Sequence, residues 1–136
     1  MDPNLTTFVW LALGFVTGAA FFAYAKSFGR ASKKVLSSGL VIAALIYVLF
    51  AAIAGRLDWL LYEALGAGLF AVFAYFGRRS SRWLAAGWGL HPLWDLGLHA
   101  RESAGAAHAP EWYVVACLAF DLLVAVLILR DRRSSP

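Results

Sequence analysis

The sequence predicts an all-α protein, a polytopic membrane helix bundle of five transmembrane helices with the N-terminus outside and the C-terminus inside. Three observations carry that expectation. Apolar residues make up 62 % of the 136 residues and charged residues 15 %, against roughly 45–50 % and 25 % in an ordinary globular domain. A chain this short exposes much surface for its volume and needs a polar skin if water is to surround it; too few polar residues are present to make one. The basic residues fall in short clusters between long apolar runs, which is how loops at an anionic membrane face are built.

Taken in order, the apolar runs are about 5–25, 35–54, 59–77, 83–99 and 112–129, read together as a single transmembrane domain over residues 1–136. A straight crossing of ~30 Å of hydrocarbon takes about 20 helical residues, with about 17 the lower limit. Four runs meet this easily. The fourth is short and the most polar, and loop charge decides whether it crosses. Lys26, Arg30, Lys33 and Lys34 separate runs one and two; Arg78, Arg79 and Arg82 separate three and four; Arg130, Arg132 and Arg133 follow run five. The remaining loops hold only Arg56 and Arg101. With five crossings all three clusters share one side, which the positive-inside rule favours. Trp10, Trp59 and Trp112 mark outer ends and Trp83 an inner end. Gly14 and Gly18 form a GxxxG pair on the first run, read as close packing inside the bundle in preference to a dimerisation face.

Several classes are excluded on the same grounds. The formal charge of +4 forms no stripe along one helix, so nucleic acid is not an expected partner; the lipid bilayer is. The single cysteine, Cys117, permits no disulfide within the chain, and no CxxC zinc motif occurs. Ala23-Tyr24-Ala25 resembles a signal-peptidase site, but Asp2 precedes the first run and four basic residues follow it, which suits an uncleaved helix.

The chemistry lies in Gly87-Trp88-Gly89-Leu90-His91-Pro92-Leu93-Trp94-Asp95-Leu96-Gly97-Leu98-His99. His91, Asp95 and His99 stand at i, i+4 and i+8 and share a helix face. Glu63 and Asp121 lie inside two other apolar runs. A carboxylate deep in a bilayer costs several kcal/mol, so such groups turn to the bundle interior and find partners. A rise of ~1.5 Å per residue puts Glu63 and Asp95 roughly 7–9 Å below the outer face, and His91 and Asp121 both at roughly 15 Å. Depth-matched ionisable groups on three runs point to one site.

Imidazole and carboxylate ligands suit a divalent zinc, iron or manganese ion. The expected ligands are His91, Asp95 and Asp121, with His99 as a further ligand or, with Glu63, an outer proton carrier. A proton or ion pathway and a purely structural polar core explain the same residues. Haem suits the sequence less well, because bis-His ligation needs imidazoles on opposite helices and the remaining His, His108, falls in a loop. His108 and Glu111 read as solvated loop residues. Trp88, Trp94, Tyr24 and Tyr47 read as packing, and Cys117 as a small buried hydrophobe.

The stretch Gly87–His99 resembles the motif of a family of small integral membrane proteins known only as a domain of unknown function. That motif has a Gly-Trp pair, a His three residues after the Trp, a Trp-Asp pair three residues after the His, and a His four residues after the Asp. Gly87, Trp88, His91, Trp94, Asp95 and His99 match it, and Cys117 and Asp121 match a cysteine four residues before an aspartate on the next helix. The sequence departs from the pattern at Leu98, where the family often has a second His, and at Phe120, where it has a Cys. The resemblance implies one site in the last third of the chain without naming a reaction.

The functional expectation is a membrane-embedded metal-dependent enzyme of a bacterial cytoplasmic membrane, a hydrolase of a lipid-like substrate, with Glu63 as general base acting on water activated by the ion. A proton- or cation-coupled carrier or channel, which at this length would need a homo-oligomer, and a non-catalytic membrane subunit are the alternatives.

Overall fold

The structure, a computed structural model, describes residues 3–99 and 108–134. Five α-helices account for nearly all of them: α1 (Pro3–Ser27), α2 (Ser32–Ile53), α3 (Leu57–Gly77), α4 (Ser81–His99) and α5 (Glu111–Ser134), with a short 3-10 turn at Gly29–Ala31 leading into α2. The helices run past the apolar runs at several ends because Lys26, Lys33 and Arg132 can extend their charged tips to the polar boundary while their stems stay on the helix.

Corners between helices are tight and have local causes. Gly29 and Gly55 take positive φ (54° and 67°), a region open to glycine at little cost. At Gly55 the Arg56 amide donates to the Ala51 carbonyl and the Gly55 amide to the Ala52 carbonyl, the paired bonds of a Schellman end. They terminate α2 and aim the chain straight into α3. At the next corner the Ser80 amide donates to Phe76, and the Leu84 amide donates to the Ser80 carbonyl to open α4.

Around the bundle the packing order is α1, α5, α4, α3, α2, with α1 and α2 only lightly joined to each other. Gly14 faces the backbone of Ala116 and Gly18 that of Phe120. Each step of four residues on α1 therefore matches a step of four on α5, and the Lys26 ammonium meets Asp131 at 2.9 Å near the ends of both helices. The two helices are parallel. With four connections between them, α4 must travel the length of the bundle as α2 does. The GxxxG pair is thus a packing seam within the chain.

Four helices are long and apolar enough to cross a membrane: α1, α2 with its leading turn, α3 and α5. Their outward faces carry large apolar side chains such as Phe8, Val16, Ile53 and Leu61, the surface expected of a protein whose solvent is lipid. α4 falls outside that set on composition, and its position supplies the reason. It lies between α3 and α5 and against α2, with Leu84, Trp88, His91 and Pro92 buried. A helix whose polar groups face the interior can keep them in a bilayer.

The core is built from all five helices: Ala25, Leu40, Phe70, Leu84, Trp88 and Val124 are among its buried residues. Glycines set the helix separations. A Cβ on Gly87 would strike Leu40 and Phe73, and one on Gly66 would strike the Trp94 indole.

Candidate metal centre

α4 supplies two of the three groups at the centre. His91 and Asp95 are one turn apart on the buried face, and α5 brings Asp121 from the other side. The His91 Nδ1 lies 2.8 Å from the Asp121 Oδ2 and 3.5 Å from the Asp95 Oδ2. All three side chains are at most 2 % exposed. One ligand atom from each residue falls within 4.8 Å of the others, so the group can hold a metal ion. The equal depth expected for His91 and Asp121 is a direct contact.

The imidazole is fixed from two further sides. The Phe70 ring meets it edge-on at 4.8 Å and the Tyr47 ring at 5.8 Å. With one nitrogen facing two acids and aromatic edges around it, the ring has little room to rotate. Tyr47 comes from α2 and is itself buried.

Asp95 is the exceptional member. Neither of its carboxylate oxygens makes a hydrogen bond of ordinary geometry among the described residues; the donor nearest to hand is the Tyr47 hydroxyl beside it. The 3.5 Å approach to His91 is too long for a charge-assisted bond. Buried carboxylates are normally paired, hydrogen-bonded or bound to a metal. Two acids and one imidazole remain net negative even with the imidazole protonated, so a cation or a further proton has to complete the group.

Glu63 sits in a second buried contact. Its Oε1 is 2.8 Å from the His108 Nε2, with both side chains at most 3 % exposed, and the Trp59 ring stacks on His108 at 5.4 Å and 19°. His108, expected as a solvated loop residue, is therefore interior and pairs with the carboxylate expected to match Asp95. Glu63 remains within electrostatic range of both His91 and Asp95 but is not part of the three-residue group. A hint was available in the sequence: His108 lies in a stretch, Ala104-Gly105-Ala106-Ala107-His108-Ala109, that offers water nothing else to solvate.

Other singled-out residues divide as follows. His99 closes α4, and its side chain lies outside the described residues. Cys117 is half-buried and, with Tyr113 and Asp121, lines an apolar cleft of about 400 Å³. α1 (Leu13, Thr17), α2 (Ile42, Ala43), α4 (Trp88) and α5 all line that cleft, which lies by the seam where α1 and α2 are only lightly joined. Trp88 is core, packed on Phe21 and Phe120. Trp94 lies against Gly66, with its indole nitrogen directed toward Glu63.

No curated protein and no solved structure matches the chain. Residues 9–134, which take in most of α1 and all of the other helices, match a family of unknown function, DUF6010, and the chain belongs to that family.

Proposed function

We propose that the protein is a membrane-embedded, metal-dependent hydrolase of a lipid-like substrate, with His91, Asp95 and Asp121 as the ligands of a divalent ion. The observation that carries this reading is the Asp95 carboxylate, 2 % exposed and without a hydrogen bond of ordinary geometry, one turn from a histidine that also faces Asp121. A structural clamp has no use for such a group, since leaving a buried acceptor unpaired costs about 1–3 kcal/mol or more. An ion binding two carboxylate oxygens and an imidazole nitrogen removes that cost. The donor set is hard and borderline, which suits zinc, iron or manganese. Such an ion would supply Lewis-acid polarisation of a carbonyl or phosphoryl oxygen and activation of water.

The protein's own groups take the remaining roles. Phe70 and Tyr47 hold the imidazole in register. Glu63, backed by His108, is the proposed proton acceptor for the attacking water, and the Tyr47 hydroxyl is a donor beside Asp95 at the edge of the centre. The lipid-like substrate is supported by the apolar cleft, whose lining includes Asp121 together with residues of α1 and α2. His99 is kept as an additional ligand or outer proton carrier on its position alone. The proposed setting is a bacterial cytoplasmic membrane with the basic end inward.

Metal analysis of the purified protein tests the reading. About one zinc, iron or manganese per chain is expected, lost in His91→Ala and Asp121→Asn. A wild type without stoichiometric metal, indistinguishable from His91→Ala, would end it.

A second reading has its own observation. His91, Asp95, Asp121, Glu63 and His108 are all buried and electrostatically linked, as in a proton relay. It predicts proton or cation flux into liposomes that Asp121→Asn abolishes, with no metal required.

A further inference from the structure

The end of the bundle where Lys26 meets Asp131 is built differently from the rest. Ten of the twelve Lys and Arg residues belong to the segments that meet there, with Asp131 as the sole acid among them, and Asp131 is already paired with Lys26. A pocket of about 380 Å³ opens at this end. It is lined by Lys33 from the start of α2, by Arg79, Ser80, Ser81 and Arg82 at the α3–α4 corner, and by Arg132 near the end of α5. None of these four cations makes an ion pair among the described residues.

Membrane orientation alone does not explain this arrangement. The positive-inside effect counts basic residues near the ends of spans and is indifferent to where their side chains gather. Arg30, Lys34, Arg78 and Arg133 serve it equally well without lining the pocket. Four like charges from three segments face one open pocket, with Arg79, Arg82 and Arg132 exposed; their repulsion is weakened by solvent, and an anion in the pocket is attracted by all four. Guanidinium groups match phosphate oxygens in a bidentate fork, and the two serine hydroxyls add neutral donors. The pocket also lies where the apolar spans finish, at the level of lipid headgroups.

We propose that this pocket binds the phosphate of an anionic phospholipid headgroup, separately from the buried His91–Asp95–Asp121 centre. Its role is to hold α2, the α3–α4 corner and α5 together at one end through a shared lipid.

The test uses full-length protein in phosphatidylcholine nanodiscs, with phosphatidylglycerol titrated in and melting temperature and retained lipid as readouts. A parallel arm adds inorganic phosphate to neutral nanodiscs. The expected result is stabilisation and retention of phosphatidylglycerol by wild type, weakened roughly hundredfold in affinity in Arg79→Gln/Arg82→Gln/Arg132→Gln, from the usual contribution of each basic residue at a charged membrane face. The charge-matched Arg30→Gln/Lys34→Gln/Arg133→Gln protein should keep most of the effect, which separates a pocket from overall charge and from altered insertion. Equal loss in both triple variants overturns the proposal. So does a wild-type response to inorganic phosphate with none to phosphatidylglycerol, or no response in either arm. Metal content is not a readout, so the outcome is independent of the proposed hydrolase centre.

Discussion

Glu63 and His108 meet as one carboxylate with one imidazole, 2.8 Å apart and capped by the Trp59 ring. His91, Asp95 and Asp121 meet as one imidazole between two carboxylates, and one of the carboxylates accepts no hydrogen bond of ordinary geometry. Both groups are buried in the same bundle, and both join helices or segments far apart in the chain. The difference lies in their bookkeeping of donors and acceptors. The pair is satisfied by protein alone, whereas the triad has two carboxylates to one imidazole. Four of the helices are long and apolar enough to cross a membrane, where water is scarce, and the triad is the group that could hold a metal ion.

The largest expected effect comes from removing the shared imidazole. His91→Ala leaves Asp95 and Asp121 buried together with nothing between them, at a cost of about 3–5 kcal/mol, read as a fall in unfolding midpoint in detergent. His108→Ala removes the partner of a single carboxylate and should cost about 1–3 kcal/mol. If the two variants lose the same stability, the contrast between triad and pair is wrong.

The scaffold under the two groups differs as well, and that can be broken separately. Gly14 lets α1 lie on the Ala116 backbone of α5, one turn and a residue before Asp121. A leucine there overlaps that backbone and should cost about 1–3 kcal/mol. Because the shift falls on the helix that carries Asp121, Gly14→Leu and His91→Ala should be non-additive, while Gly14→Leu and His108→Ala should add within about 0.5 kcal/mol. A double-mutant cycle by thermal unfolding decides it.

The same contrast governs what the sequence could reveal. Helix number follows from composition and loop charge because each span must meet a length and polarity requirement by itself. α4 as a full helix antiparallel to α3 (Gly77 against Leu84, Gly66 against Trp94) was legible only indirectly, through the positions of Arg78, Arg79, Arg82 and the C-terminal arginines, since its own composition reflects an interior position that no local property shows. The triad was legible because His91 and Asp95 share a helix face and Asp121 matches His91 in depth, both consequences of constant helical rise. The Glu63–His108 pair was not. A depth argument treats a loop as lying outside the membrane, and it has no means of seeing that the chain before Pro110 tucks a histidine under Trp59. The α1–α5 seam shows the same limit: Gly14 and Gly18 announce a close approach but not the helix that makes it.

Asp95 gives a sign as well as a size. With no metal bound, Asp95→Asn replaces a buried carboxylate whose one ionic contact is the long approach to His91 by a neutral amide and should stabilise the protein by about 1 kcal/mol or more. With zinc, iron or manganese saturating the wild type, the same substitution removes a ligand and should lower the midpoint instead, since binding to the folded state alone stabilises by mass action. Unfolding curves of both proteins with chelator and with metal give four midpoints. An Asp95→Asn protein less stable than wild type in chelator would mean that the carboxylate has a satisfied structural role.

The smallest change in stability is expected at Glu63, where it separates clamp from chemistry. Glutamine preserves the size of the side chain and can still accept from or donate to the His108 Nε2, so Glu63→Gln should move the unfolding midpoint by less than about 1 kcal/mol and leave metal content untouched. A neutral amide cannot take a proton from water, however. If Glu63 is the base, turnover of a lipid-like ester falls by about 10²–10⁴-fold in this variant while fold and metal persist. If the pair is only a clamp, Glu63→Gln turns over as wild type does, the asymmetry between the two buried groups becomes complete, and the proton acceptor has to be sought among Tyr47, Asp95 and Asp121 at the centre itself.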